Sequence, residues 1–277
     1  MIGLSTTFAL MLALALAGCA STPTQLPEFK QPPSISISKE TVSTFTEVPA
    51  EDYLIPGSQV FVAGKGGAGR YLALLGMAID KARNESQVGA SADALRVTFD
   101  EQLAQALRTQ GEKSAWQRPV PVLPAGGDVL VIPAARIVMR EDESKADLSF
   151  RVTMRFNDAA SGSQGRKNYF YVYGLRPLTG PGGWAADNGA LLKQAASEAM
   201  VPLAKVILDD LAGSYRASAE PGQERLIKWK PLTSEQVLTS MVLKEEPGYY
   251  ILRPRFKDRP VTGVVVIAPK QLVRLEP

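Results

Sequence analysis

The stretch Val60-Phe61-Val62-Ala63-Gly64-Lys65-Gly66-Gly67-Ala68-Gly69-Arg70 stands at a fork between two folds. A strand-like run leads into Gly64-x-Gly66-x-x-Gly69, the spacing of a dinucleotide-binding loop, and a helix-like run from Tyr71 to Arg83 follows. A doubly wound α/β fold also needs a second parallel strand about 20 residues further on, ending in an acidic residue that holds the ribose. Glu85-Ser86-Gln87-Val88-Gly89-Ala90-Ser91 is polar instead and has no strand pattern, and no Gly-Lys-Ser/Thr closes a Walker-type phosphate loop. The glycines therefore read as a turn, with no nucleotide cofactor. The run that follows, Tyr71 to Ile79, is apolar on every side, so it is expected to be buried in the domain core, in a subunit contact or against a membrane.

Towards the carboxyl terminus, Ser91 reads as the N-cap of a helix over Ala92–Gln110, with Leu95, Phe99, Leu103 and Leu107 at helical spacing and Gly111 as its stop. After a proline-rich crossing come three strand-like runs, Asp128–Met139, Ala146–Phe156 and Lys167–Leu175, joined by turn-rich segments that predict an antiparallel meander. Ala186–Gly213 reads as a long amphipathic helix, which Pro202 should kink or divide. The order predicts an α+β fold: a small, mainly antiparallel sheet with helices on one face, over residues 57–215. Residues 222–277 read as a separate small β-rich module, with a capping box at Thr233-Ser234-Glu235-Gln236 and strands at Gly248–Phe256, Val261–Ala268 and Gln271–Leu275.

This element order resembles the periplasmic domain shared by the TolB amino-terminal domain, the curli-secretion lipoproteins and the lipoprotein activators of peptidoglycan synthases. Phe99-Asp100-Glu101-Gln102-Leu103-Ala104-Gln105-Ala106-Leu107 is similar to their first helix, and Phe156-Asn157-Asp158-Ala159-Ala160-Ser161-Gly162 to the turn between their meander strands. The resemblance implies a domain that binds other envelope proteins or associates with itself and catalyses no reaction. It carries over no functional residue.

Towards the amino terminus, residues 19–56 read as a tether, broken by Pro23, Pro27, Pro32, Pro33, Pro49 and Pro56, in which Ser34-Ile35-Ser36-Ile37-Ser38 alternates and could add an edge strand to the domain. Residues 1–18 read as a signal peptide. The apolar run Phe8–Ala17 is too short to span a bilayer, which takes about 20 residues, and it ends in small residues. Leu16-Ala17-Gly18-Cys19 resembles the lipobox of bacterial lipoproteins, which implies a diacylglycerol thioether on Cys19, cleavage before it and acylation of the new amino terminus. Ahead of the apolar run there is no Lys or Arg, a departure from that pattern. Ala20-Ser21, with no Asp beside the cysteine, resembles lipoproteins passed on to the outer membrane of a two-membrane bacterium. Two or three acyl chains give stable anchoring without a membrane-spanning segment.

Composition excludes more than it proposes. The chain has no histidine and a single cysteine, so triads, Cys-His pairs and the usual zinc sites cannot be built, and no metal or cofactor is expected. A net charge of +3, with acids and bases interspersed, gives no stripe for nucleic acid. Three readings follow: a non-enzymatic accessory or assembly component of an envelope complex; a peptidoglycan- or glycan-binding or glycan-acting protein with an aromatic surface and paired carboxylates; and the disfavoured nucleotide binder. The site candidates are Cys19 for lipid attachment and Tyr169, Tyr171 and Tyr173, which line one face of one strand. That face either packs beneath a helix or forms an exposed row for a protein or glycan partner. Glu141-Asp142-Glu143 reads as a solvated hairpin tip.

Overall fold

The computed structural model describes residues 26–39, 52–63, 82, 85–86, 88–139, 145–157, 162, 164–216, 225–231, 237–256, 259–260, 263–269 and 272–275. Cys19, the glycine loop, the apolar run after it, the acidic tip and the capping box lie outside these residues. The fold is α+β and dominated by its sheet. Among the described residues no helix is long and apolar enough to cross a membrane.

The meander is the frame. β5 (Val129–Met139), β6 (Ala146–Asn157) and β7 (Gln164–Arg176) pair antiparallel along nearly their whole lengths. Val129, Val131, Ala135 and Ile137 of β5 and Leu148, Phe150, Val152 and Met154 of β6 are buried in the main core, the strand alternation that the sequence displays. The outer edge of β5 is shared by two strands, both parallel to it: β1 (Ile35–Ile37) at Val129–Val131 and β3 (Val60–Ala63) at Ala135–Val138. Pro133 falls in the gap between them. Val131 O and Ala135 N both point to that edge, so the N–H that Pro133 lacks would have faced no strand partner among the described residues.

β2 (Tyr53–Leu54) pairs with β3, and β1 is flanked on its other side by the two-residue β4 (Val122–Leu123). Residues 26–39 and 52–56 are thus part of the fold and not of a tether over 19–56. Leu26, Ile35 and Ile55 are buried, and Ser34 N and Oγ both donate to Asp128 Oδ2, at 2.8 and 2.7 Å. β1 is an interior strand, not the edge strand expected of it.

Among the described residues, two long helices cover one face. α1 (Asp100–Gln110) turns Leu103, Ala106 and Leu107 inward, and α2 (Ala186–Leu211) lies over β6 and β7 and against α1. α1 is shorter than expected because Leu95, Val97 and Phe99, all buried, belong to the segment leading into it. Ser58 Oγ donates to Leu95 O at 2.8 Å, Gln59 N to Val97 O at 2.9 Å, and Phe99 N to Gln59 Oε1 at 2.6 Å. These tertiary bonds take over backbone groups that a longer helix would have used itself. Gly111 ends α1 without a left-handed turn. A side chain there would meet Arg118 O at 2.9 Å, so the glycine permits the chain to fold back closely.

Pro202 does not divide α2. The carbonyl it leaves without a helical donor belongs to Glu198, on the exposed side. The irregularity lies instead at Asp187, Asn188 and Gly189, all left-handed, so the regular helix begins at Ala190.

The strands after α2 extend the same sheet. β8 (Leu226–Pro231), β9 (Leu238–Glu246) and β10 (Tyr249–Phe256) form an antiparallel series. The short β11 (Arg259–Pro260) pairs with β10, β12 (Val264–Ile267) joins β10 to β7, and β13 (Leu272–Leu275) borders β8. The β12–β7 pairing is parallel, Val264 opposite Tyr169 through Ile267 opposite Val172. The sheet is therefore mixed and, among the described residues, runs through thirteen strands, larger than the small sheet expected. On the face away from the helices lie two smaller clusters, Phe61, Ile132 and Ala134, and Ile227, Trp229, Leu252 and Ile267.

Candidate functional site

The tyrosine row of β7 points towards the helices. Tyr169 is fully buried and donates its hydroxyl to Asp210 Oδ2 at 2.5 Å; Tyr173 donates to Glu198 Oε2 at 2.6 Å. Burial first, and the nearby carboxylate second, push the Tyr169 phenol well above its ordinary value and that of Tyr173 up to about 12. Tyr173 also packs edge-on against Phe150 and Trp184, with centroids 6.2 and 5.9 Å apart. Of the two readings of this row, the helix-covered one describes it. A partner surface made of all three tyrosines is corrected on this point: Tyr169 is enclosed beneath α2, and only Tyr171 and Tyr173 reach the margin, half-buried.

Below Tyr169, at the carboxyl end of α2, two adjacent acids face inward. Asp210, 1% exposed, takes Lys167 Nζ at 2.5 Å as well as the Tyr169 hydroxyl. Asp209 takes Lys205 Nζ at 2.6 Å on one oxygen and Ala115 N at 2.8 Å on the other. Lys205 reaches on to Glu246 at 3.3 Å, which also holds Lys244 at 2.6 Å. Desolvation lowers the Lys167 ammonium, partly offset by Asp210, while burial would lower Lys205 but Asp209 and Glu246 raise it. Adjacent carboxylates beside a lysine of lowered pKa are the raw material of acid–base chemistry. Here each acid is held by charged or hydrogen-bonding partners, and the network ties together α2, β7, the chain after α1, and β9.

A second region differs in every respect. A groove of about 560 Å³ opens between α1 and the strands β1 and β4. Ile37, Ala104, Val122, Leu123 and Pro124 supply its apolar surface; Lys39, Asp100, Glu101 and Arg108 supply its charge. Among the described residues none of these four charged side chains has an ion-pair partner. Helical spacing sets Asp100, Ala104 and Arg108 on one stripe, beside the one by which Leu103 and Leu107 enter the core. Leu123, 37% exposed, is one of few large apolar side chains left open to solvent.

The chain matches no protein-family model, no curated protein and no solved structure. Cys19 lies outside the described residues. At the rejected nucleotide site, Glu85, Ser86 and Val88 are helical, where a dinucleotide fold would put its second strand. Among the described residues no group of acids is placed to hold a metal. Sequence reasoning missed both Asp209-Asp210 and the groove. The signal for the first was present: Val206-Ile207-Leu208-Asp209-Asp210-Leu211 sets two acids in the most apolar turn of α2. The groove has no comparable signal, because it exists only where β4 and α1 meet.

Proposed function

We propose that the protein is a lipoprotein anchored through Cys19 to the outer membrane, facing the periplasm, and that it serves as a non-enzymatic accessory or assembly component of an envelope complex. The carrying observation is a contrast among charged groups: the buried Asp209 and Asp210 are paired inside the fold, whereas Lys39, Asp100, Glu101 and Arg108, without ion-pair partners among the described residues, line an open groove beside a sheet edge. Such groups are suited to meeting a partner and poorly suited to turning over a substrate. The order strand, helix, meander, helix supports the resemblance to the envelope domains named above, with the strands after residue 225 as a module appended to that unit. A glycan-acting enzyme would need two carboxylates about 5–10 Å apart with one free to exchange protons, and Asp209 and Asp210 are already committed to lysine and tyrosine partners.

The test has two parts. Metabolic labelling with a fatty-acid probe should mark the parent protein and not Cys19→Ala; equal labelling of both would overturn the anchor. Crosslinking in native membranes should then trap the lipidated protein with a reproducible envelope partner or with itself. Only background crosslinks in intact membranes would overturn the assembly role.

A further inference from the structure

The groove has a direction and a hydrogen-bonding edge. Phe99 N bonds Gln59 Oε1, and Gln59 Nε2 bonds Ser38 O at 3.3 Å, which sets the start of α1 beside the end of β1. The end of α1 lies against Arg118–Val120, just before β4. α1 therefore runs antiparallel to β1 and β4. Its acidic first turn and Lys39 lie at the Pro124 end of the groove, Ala104 lies level with Val122, and Arg108 lies towards the Val120 end. Ile35 N donates to Pro121 O at 2.8 Å, so in this parallel ladder Leu123 is the next residue to face β1. The N–H and C=O of Val122 point outward, and among the described residues nothing pairs with them. Pro124 has no N–H, so the edge offers one complete donor–acceptor pair, at Val122.

We infer that this groove binds an extended peptide segment of a partner protein, added antiparallel to β4 at Val122, with the order basic–x–apolar–x–acidic from its amino to its carboxyl end. The inference deepens the proposed docking role and rests on it. An antiparallel partner takes both hydrogen bonds of Val122 on one residue, whose side chain then shares the face of Val122 and lies over Ala104. The eight-residue step from Asp100 to Arg108 covers about 12 Å along the helix. In an extended strand, side chains at i, i+2 and i+4 share a face and span about 13 Å. A strand antiparallel to β4 runs parallel to α1. Its first side chain therefore meets Asp100 and Glu101, whose charge Lys39 only half cancels, and its last meets Arg108.

The experiment uses the full mature chain, isotope-labelled, and the capped peptide Thr-Lys-Thr-Val-Thr-Glu-Thr. Saturable amide shifts are expected at Val122, Leu123 and along α1, with a dissociation constant in the high-micromolar range, as suits so small an edge. Arg108→Glu should weaken binding by about tenfold or more, and a peptide with Lys in place of Glu should regain most of that loss on the variant. Unchanged melting of the variant keeps the comparison free of folding effects. No saturable shift at Val122, equal binding of the reversed sequence Thr-Glu-Thr-Val-Thr-Lys-Thr, or no recovery by the swapped peptide would overturn the inference. So would a concentration-dependent dimer of the parent that Arg108→Glu abolishes, because the occupant would then be a second copy of the chain. Arg108→Glu that keeps every membrane crosslink overturns the groove and leaves the envelope role standing. Peptide binding without any envelope crosslink does the reverse.

Discussion

The carboxyl end of α2 and the outer side of α1 are made from the same side chains with opposite outcomes. Each sets two neighbouring acids, Asp209-Asp210 or Asp100-Glu101, near lysine or arginine. At the end of α2 the acids are 3% and 1% exposed, and every charge has acquired a partner. Desolvating an ion costs several kcal/mol unless it is paired, so burial forces pairing. On α1 the acids stay in water, no such demand exists, and the charges remain available. Position relative to the sheet decides which acids are structure and which are surface.

The largest expected effect comes from breaking the buried side of this contrast. Asp210→Ala leaves the Lys167 ammonium and the Tyr169 hydroxyl without their acceptor and should cost about 3–5 kcal/mol in urea unfolding. A loss under about 1 kcal/mol would mean that water reaches Lys167 and that the two regions are alike. Next comes alkaline pH. Tyr169, Tyr173 and Tyr215 all have folded pKa values above the unfolded value near 10, so they favour the native state below that pH. That contribution is lost as pH rises from 10 through the raised values. Lys167, lowered in the fold, acts oppositely as pH approaches its unfolded value, but it is one group against these three and Tyr171 and Tyr249, which are raised as well. Stability should therefore fall between pH 10 and about 12, and the phenolate absorbance of Tyr169, taken as the difference between the parent and Tyr169→Phe, should appear with unfolding and not before it. An early difference signal from a folded protein would contradict the enclosure of Tyr169.

A smaller effect is expected at the margin. Tyr173→Phe loses one hydrogen bond to an exposed glutamate and should cost about 0.5–1.5 kcal/mol, measured by denaturant midpoint. Smallest of all, Glu101→Ala or Arg108→Ala in the groove should stay within about 0.5 kcal/mol of the parent. A groove variant as damaging as Asp210→Ala would show that its charges hold the fold after all.

How much of this was legible depends on range. The meander could be read closely, because Val129 to Phe156 alternates with a period of two and its turns are rich in polar residues. The extent of α1 could not, since Leu95, Phe99 and Leu103 fit a helical stripe and only contacts with Ser58 and Gln59, some 40 residues earlier, pull the first two out of it. β8 and β9 went unread, and no local pattern could announce that Val264–Ile267 would choose Tyr169–Val172 as a parallel neighbour. The tyrosine row was legible as a row. Which side of the sheet it faced depended on α2, and its partner acids depended on the chain beyond.

Leu26 carries a last consequence. It is buried with the core, and Arg216 grips the residues that follow it, with Nη2 donating to Pro27 O at 2.8 Å and Nη1 meeting Glu28 at 2.6 Å. If Cys19 holds the lipid, Leu26 is seven residue steps away, and a fully stretched chain covers at most about 3.6 Å per step. The leash then measures about 25 Å, where one running to residue 56 would have measured about 130 Å. Such a protein works at a fixed, low altitude: it can engage what passes close to the bilayer and cannot sweep the space beyond.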